Sequence, residues 1–160
     1  MKNFQIKYTI LVSFIALIIV IFDQITKYWA LYNLDESYSI TFFLSLTLSF
    51  NKGISFGMFN EPGTSQIILV LIASAMVIAL FTGTNSRNII PSGLVIGGAI
   101  GNLIDRLRVG AVVDFIHLHY SHYHFPIFNV ADISICCGCL IFVMLEIKLF
   151  KNQPKAESTQ

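Results

Sequence analysis

Charge is what this chain has least of. Of its 160 residues, 12% are Asp, Glu, Lys or Arg against 55% hydrophobic, and the formal net charge is +1. So small a charge with no basic stripe argues against a nucleic-acid partner, whose phosphates need a cationic surface. Cysteine is scarce too: Cys136, Cys137 and Cys139 all fall in one apolar run. An odd, clustered set is a poor disulfide framework and reads as packed or lipid-facing small residues. No serine sits in a Gly-x-Ser-x-Gly turn, and Gly97-Gly98-Ala99-Ile100-Gly101 lacks the Lys-Ser/Thr of a phosphate loop. There is no internal repeat. The apolar stretch from Tyr8 to Phe22 is followed by Asp23-Gln24-Ile25-Thr26-Lys27 and not by a small-residue cleavage site. An uncleaved membrane helix is therefore expected in place of a removed signal peptide.

Apolar length is what the chain does have. A mean hydropathy of +0.72 and long aliphatic runs indicate an α-helical integral membrane protein. Four transmembrane helices are expected: Tyr8 to Phe22 with an extension toward Trp29, Gln66 to Thr82, Ile89 to Ile104, and Ile133 to Phe150. Each approaches the roughly 17–25 residues that cross hydrocarbon. The third is the weakest, because it holds Pro91, Ser92 and several glycines. Residues 1–150 form one expected domain, and 151–160 a polar, disordered cytoplasmic tail. An even number of crossings puts both termini on one side. Lys2, Lys7, Arg87, Lys148, Lys151 and Lys155 would share that side, against Lys27, Lys52, Arg106 and Arg108 on the other, a modest bias toward cytoplasmic termini.

With that topology Asp23, Asn51, Asp105, Arg106, Asp114 and Asp132 converge on the extracytoplasmic face. Ser39–Phe50 and Val112–His119 are rich in β-branched and aromatic residues and predict short strands there. Pro62-Gly63 marks a turn. Gly93, Gly97 and Gly101 recur every four residues, spacing that lets helices approach closely.

A carboxylate at a membrane edge is costly unless stabilised, so Asp114 and Asp132 are the leading functional candidates. Two close carboxyls can share a proton, one acting as base and the other as hydrogen-bond donor. The plain alternative is that one caps a helix and the other sits in a wet loop. Asn102 and Arg106, four apart, share a helix face; Arg106 either points into the site or snorkels to headgroups. Asn51 and Asn129 either orient carboxylates or bind substrate carbonyls, or serve simply as turn residues. Asp105 is expected in a structural ion pair. Asp23 and Lys27, four apart with the acid first, suit a structural salt bridge at least as well as a catalytic role. His117, His119, His122 and His124 are interleaved with Tyr120, Tyr123 and Phe125. They read more readily as an interfacial loop than as metal ligands, and neither metal nor cofactor is expected.

Five segments in order resemble one family: Asp23-Gln24-Ile25-Thr26-Lys27, Asn51-Lys52-Gly53-Ile54-Ser55-Phe56-Gly57, Gly101-Asn102-Leu103-Ile104-Asp105-Arg106, Val112-Val113-Asp114-Phe115 and Phe128-Asn129-Val130-Ala131-Asp132. They look like the successive motifs of lipoprotein signal peptidase, or signal peptidase II, over roughly residues 8 to 150. Ser55 stands where the motif commonly has Ala. The resemblance implies a monomeric intramembrane aspartic peptidase of the bacterial inner membrane. Such an enzyme acts on diacylglyceryl-prolipoprotein among membrane lipids and cleaves just before the lipid-modified cysteine. Asp114 and Asp132 match the catalytic pair. Asn51, Asn102, Arg106 and Asn129 match polar residues lining the site, and Asp23 and Lys27 a further acid-base motif. The implied fold is four transmembrane helices with a small extracytoplasmic β-cradle and a short surface helix. The competing class is a small proton-coupled transporter, which would place its acids near the midplane, often in repeats.

Overall fold

The computed structural model describes residues 2–52, 83 and 85–151. The apolar segment Gln66–Thr82, the Pro62-Gly63 turn, the stretch Gly53–Gly57 and the tail 152–160 lie outside the described residues. Three helices are described: α1 (Lys2–Asn33), α2 (Ile89–Val109) and α3 (Val130–Lys151). Four short strands accompany them: β1 (Tyr38–Ser39), β2 (Leu44–Asn51), β3 (Val112–Tyr120) and β4 (Tyr123–His124).

The helices outrun their apolar cores. α1 continues past Asp23 to Asn33 because Asp23 and Lys27 are buried against other helices and need no water. α3 starts at Val130, three residues before the expected Ile133, because Asn129 and Asp132 cap it. α1 over Ile6–Asn33 and α3 over Val130–Phe150 are long and apolar enough to cross a membrane. Their outward residues, among them Phe14, Leu17, Phe22, Leu140 and Met144, are exposed, as suits a lipid solvent. α2 ends on Asp105, Arg106 and Arg108.

Glycine sets how the helices meet. A Cβ on Gly93 would lie 2.6 Å from Ile15 Cβ, one on Gly97 2.7 Å from Ile19 Cβ, and one on Gly101 2.5 Å from Asp23 Oδ2. The expected stripe thus faces α1. Both numberings rise in steps of four, so α1 and α2 run parallel with backbones close together. Toward α3 the order reverses: Gly98 meets Ile135, Gly138 meets Val95, and Ser134 Oγ donates to the Leu94 carbonyl. α3 is therefore antiparallel to both.

The sheet is antiparallel in the order β1-β2-β3-β4. The expected strand Ser39–Phe50 divides in two. Thr41 Oγ1 accepts the Leu44 N–H at 3.1 Å, and the Ile40 and Thr41 N–H groups both donate to the Leu44 carbonyl at 3.0 Å. These bonds make a turn between β1 and β2. Leu46 pairs with Ile116 but Ser49 with Asp114, so β2 carries one extra residue, a bulge of the kind that re-aims side chains beside functional sites. The segment before α3 is tied to β3: Phe128 N–H donates to Ile116 O at 3.0 Å, and Ile116 N–H returns to Phe128 O at 2.8 Å. Below the sheet Ala30, Leu34 and Phe115 form a buried cluster with Leu46, Leu48, Ile116 and Val130. The sheet is thereby fixed to the end of α1 and the start of α3.

Candidate active site

Gly110, in the left-handed conformation at φ 75°, ends α2, and β3 begins two residues later. The turn delivers Asp114, only 2% exposed, to the layer where α3 starts. Because Phe128 pairs with β3, the next residue, Asn129, lies against it. Asn129 Nδ2 donates to Asp114 Oδ1 at 2.6 Å. Asn129 is also the N-cap of α3: its Oδ1 accepts the Asp132 N–H at 2.9 Å, and its own N–H donates to Asp132 Oδ2 at 3.2 Å. This reciprocal capping box makes Asp132 a cap of α3, as the plain alternative had it for one of the two aspartates, while Asp114 is buried and not in a wet loop. The other Asp132 oxygen, Oδ1, accepts from Asn102 Nδ2 at 2.8 Å. Asp132 thus receives an N–H donor on each of its oxygens.

Asp114 favours its neutral form. Burial, and then the negative charge of Asp132, push its pKa up to about 6, against the pull of hydrogen bonds from Asn51 and Asn129 and of the Lys27 charge. A carboxyl pair with unequal environments divides into acid and base.

Behind the pair lies a buried charge network. Lys27 Nζ is 2.9 Å from Asp23 Oδ2, 2.8 Å from Asp105 Oδ2 and 2.9 Å from Asn102 Oδ1. Asp23 Oδ1 accepts the Ala131 N–H at 2.9 Å, a further amide of the α3 N-terminus. Asp105 Oδ2 also accepts the Val113 N–H at 3.1 Å, one residue from Asp114. The expected Asp23–Lys27 salt bridge and the expected ion pair of Asp105 are thus parts of one network. Breaking a buried pair by removing one partner costs about 3–5 kcal/mol. Among the described residues only Ser92 Oγ is a buried side-chain polar atom without a partner.

Arg106 is half-buried. Its Nη1 donates to the Asn102 carbonyl at 3.3 Å, and its charge interacts with Asp132, Asp105 and Asp114. Beside Asp132 an apolar groove of about 340 Å³ is lined by Leu118, Phe125, Phe128, Ile133, Cys136 and Cys137. His117 and His119 share a face, with ring centroids 5.2 Å apart. His124 joins them across the strand pair, its Nδ1 3.2 Å from His117 Nε2. Among the described residues no group of three His, Cys, Asp or Glu is disposed to hold a metal ion.

Gln24 escaped the sequence reading. Its Nε2 donates to Asp105 Oδ1 at 3.0 Å and to the Gly101 carbonyl at 3.2 Å, joining α1 to α2. The only signal was an uncharged polar residue between Asp23 and the apolar Ile25. Eight candidates were named from sequence: Asp23, Lys27, Asn51, Asn102, Arg106, Asp114, Asn129 and Asp132. All are brought together at one end of the bundle.

Fold and site together define a membrane protein with a polar, carboxylate-bearing centre at one end of its helices. Solved bacterial membrane enzymes share the architecture: one aligns with TM-score 0.78 and 32% identity over 91% of this chain and 93% of its own. The family model of signal peptidase (SPase) II matches residues 15–148. The lipoprotein signal peptidase of Anaplasma marginale (strain Florida) is 40% identical over 86% of this chain and 85% of its own length. That of Buchnera aphidicola subsp. Baizongia pistaciae (strain Bp) is 40% identical over 89% and 93%. The chain belongs to the signal peptidase II family. The transporter alternative finds no support in these relatives, and the acids cluster at the helix ends.

Proposed function

We propose that this chain is an aspartic endopeptidase that removes the signal peptide from diacylglyceryl-modified prolipoproteins, cutting just before the lipid-bearing cysteine. The observation that carries the reading is Asn129. Its amide donates to Asp114 at 2.6 Å and its backbone N–H to Asp132 at 3.2 Å, so both carboxyls attach to one residue; in this reading they share one water. Asp132, ionised, takes a proton from that water as its oxygen attacks the scissile carbonyl carbon. Asp114, protonated, donates to the carbonyl oxygen, and collapse of the tetrahedral intermediate passes a proton to the leaving amine. In this reading Asn51 and Arg106 hold the substrate backbone near this pair. The protein acts as a monomer among membrane lipids of the bacterial inner membrane. It has four crossings, cytoplasmic termini and the carboxyl pair at the extracytoplasmic face; the parallel course of α1 and α2 and the antiparallel α3 support that count.

Purified wild type, Asp114→Asn and Asp132→Asn are to be compared on a lipid-modified precursor. Wild type should cleave, and both variants should lose at least about a thousandfold. Asp114→Asn should keep its thermal midpoint; Asp132→Asn still offers an oxygen to the Asn129 N–H but sets its NH2 against Asn102 Nδ2, so it should fold with a lowered midpoint. Cleavage by either variant at near wild-type rate rejects the assigned pair.

A further inference from the structure

At the ends of α2 and α3 remote from the carboxyl pair lies a cavity of about 400 Å³ that shares no residue with the site described above. It is lined by Asn85, Arg87 and Asn88 from the turn before α2 and by the last turns of α3. Phe142, Leu145 and Leu149 recur there at helical spacing and give the cavity an apolar side. Three charged side chains also line it, Arg87, Glu146 and Lys148, all exposed. None is ion-paired within the protein: among the described residues every salt bridge is made by Lys27. The turn adds a further polar element. Asn88 Oδ1 accepts the Asn85 N–H at 2.7 Å, and Asn88 Nδ2 donates to the Gly83 carbonyl at 3.2 Å. Both ends of the Asn88 side chain are thus engaged, and α2 starts with no side-chain cap. Pro91 has no N–H, so the open amides are those of Ile89 and Ile90, and this positive helix end favours an anion.

We propose that this cavity is a head-group site for an aminophospholipid of the phosphatidylethanolamine class. The occupant follows from the charges. Arg87 and Lys148 together suit one phosphodiester, which the uncapped start of α2 also favours. Glu146 in the same cavity calls for a cation, and a primary ammonium on the same head group supplies one with N–H groups to donate. A purely anionic head group would satisfy Arg87 and Lys148 but bring like charge to Glu146. A choline head group has the positive charge but no N–H. The apolar side formed by Phe142, Leu145 and Leu149 gives the acyl chains a path along α3, whose neighbouring Val143 and Met144 are exposed, as suits contact with the bilayer. The plain alternative is two cations snorkelling separately to head groups, and it predicts no selectivity among lipids. The inference needs the helices to sit in a bilayer, but it does not need the peptidase reading.

The test uses the full-length protein, purified in detergent and stripped of lipid, with native mass spectrometry counting the lipid retained. Dioleoyl phosphatidylethanolamine, phosphatidylglycerol and phosphatidylcholine are offered singly over a concentration series. Wild type should hold one phosphatidylethanolamine at least about tenfold more tightly than either of the others. Glu146→Gln should erase the preference over phosphatidylcholine and strengthen phosphatidylglycerol. Arg87→Gln with Lys148→Gln should weaken phosphatidylethanolamine by about tenfold or more. All three side chains are exposed, so the variants should keep the wild-type thermal midpoint. Should the paired variant lose its fold, Glu146→Gln still decides, because it changes preference and not only affinity. Tighter retention of phosphatidylglycerol by wild type overturns the proposal in favour of an anionic-lipid site. Equal retention of all three lipids overturns it in favour of a non-selective lipid belt. A preference that survives Glu146→Gln places the lipid elsewhere on the molecule and overturns it as well.

Discussion

Asn129 carries no charge, yet both carboxyls attach to it, Asp114 to its side-chain amide and Asp132 to its backbone N–H. The sequence offered it as an orienter of carboxylates or as a turn residue, and a helix N-cap that donates to Asp114 is both at once. What a sequence does not state is the protonation balance, because that depends on burial. Asp114 illustrates it: the value of about 6 stands well above the ordinary 3.8, mainly from desolvation and next from Asp132. The raised value means that the neutral form is favoured in the fold. Its contribution to stability is full below pH 3.8 and is lost as pH rises toward 6. In catalysis the same group should set the alkaline limb of kcat/KM, since the acid fails once ionised. The hydrogen bond from Asn51 opposes the shift by favouring the charged form. Asn51→Leu should therefore move that limb to higher pH, by about half a unit to one unit. A downward move would contradict the assigned donor.

At the scale of elements, the stripe of Gly93, Gly97 and Gly101 was legible because every fourth residue of α2 lacks a side chain. Gly98 and Gly138, which admit α3, were not, since neither forms a repeat with the others. Helix ends were the least legible part. The first turn of α3 is capped in part by Asp23, 108 positions away in the chain, and no local pattern announces such a partner. Gly101 joins the two themes. A Cβ there would meet Asp23 Oδ2 at 2.5 Å, pressing on a carboxylate that holds both Lys27 and the Ala131 amide. Gly101→Ala should destabilise by about 1–3 kcal/mol through overpacking and reduce cleavage as well. Gly110→Ala is the control. Its neighbourhood is open, with nothing within 4 Å of the added Cβ, and only the left-handed φ opposes it, at about 1–2 kcal/mol. Denaturation midpoints in detergent, read beside cleavage rates, distinguish the two. Equal loss of activity at both positions would show that Gly101 has no special tie to the site.

For the whole molecule, the convergence of scattered polar residues was legible before any coordinates, since it followed from counting apolar segments. Orientation in the membrane was only weakly legible, because four basic residues stood against the bias. The structure changes how those four should be weighed. Lys27, 2% exposed, is neutralised by Asp23 and Asp105, and Arg106 is turned toward carboxylates. Neither is a free loop cation of the kind that orients a membrane protein. Lys52 and Arg108 are left on that side, and the bias toward cytoplasmic termini grows. A cysteine-free background made by replacing Cys136, Cys137 and Cys139 allows a direct test with a membrane-impermeant thiol reagent. Tyr123, 81% exposed at the β3–β4 turn, lies at the sheet end. Arg87, exposed just before α2, lies at the opposite end. Tyr123→Cys should label in intact spheroplasts, and Arg87→Cys only after permeabilisation. The reverse pattern would put the carboxyl pair on the cytoplasmic side. A signal peptide cut from a lipid-bearing precursor at the outer face would then be out of this enzyme's reach.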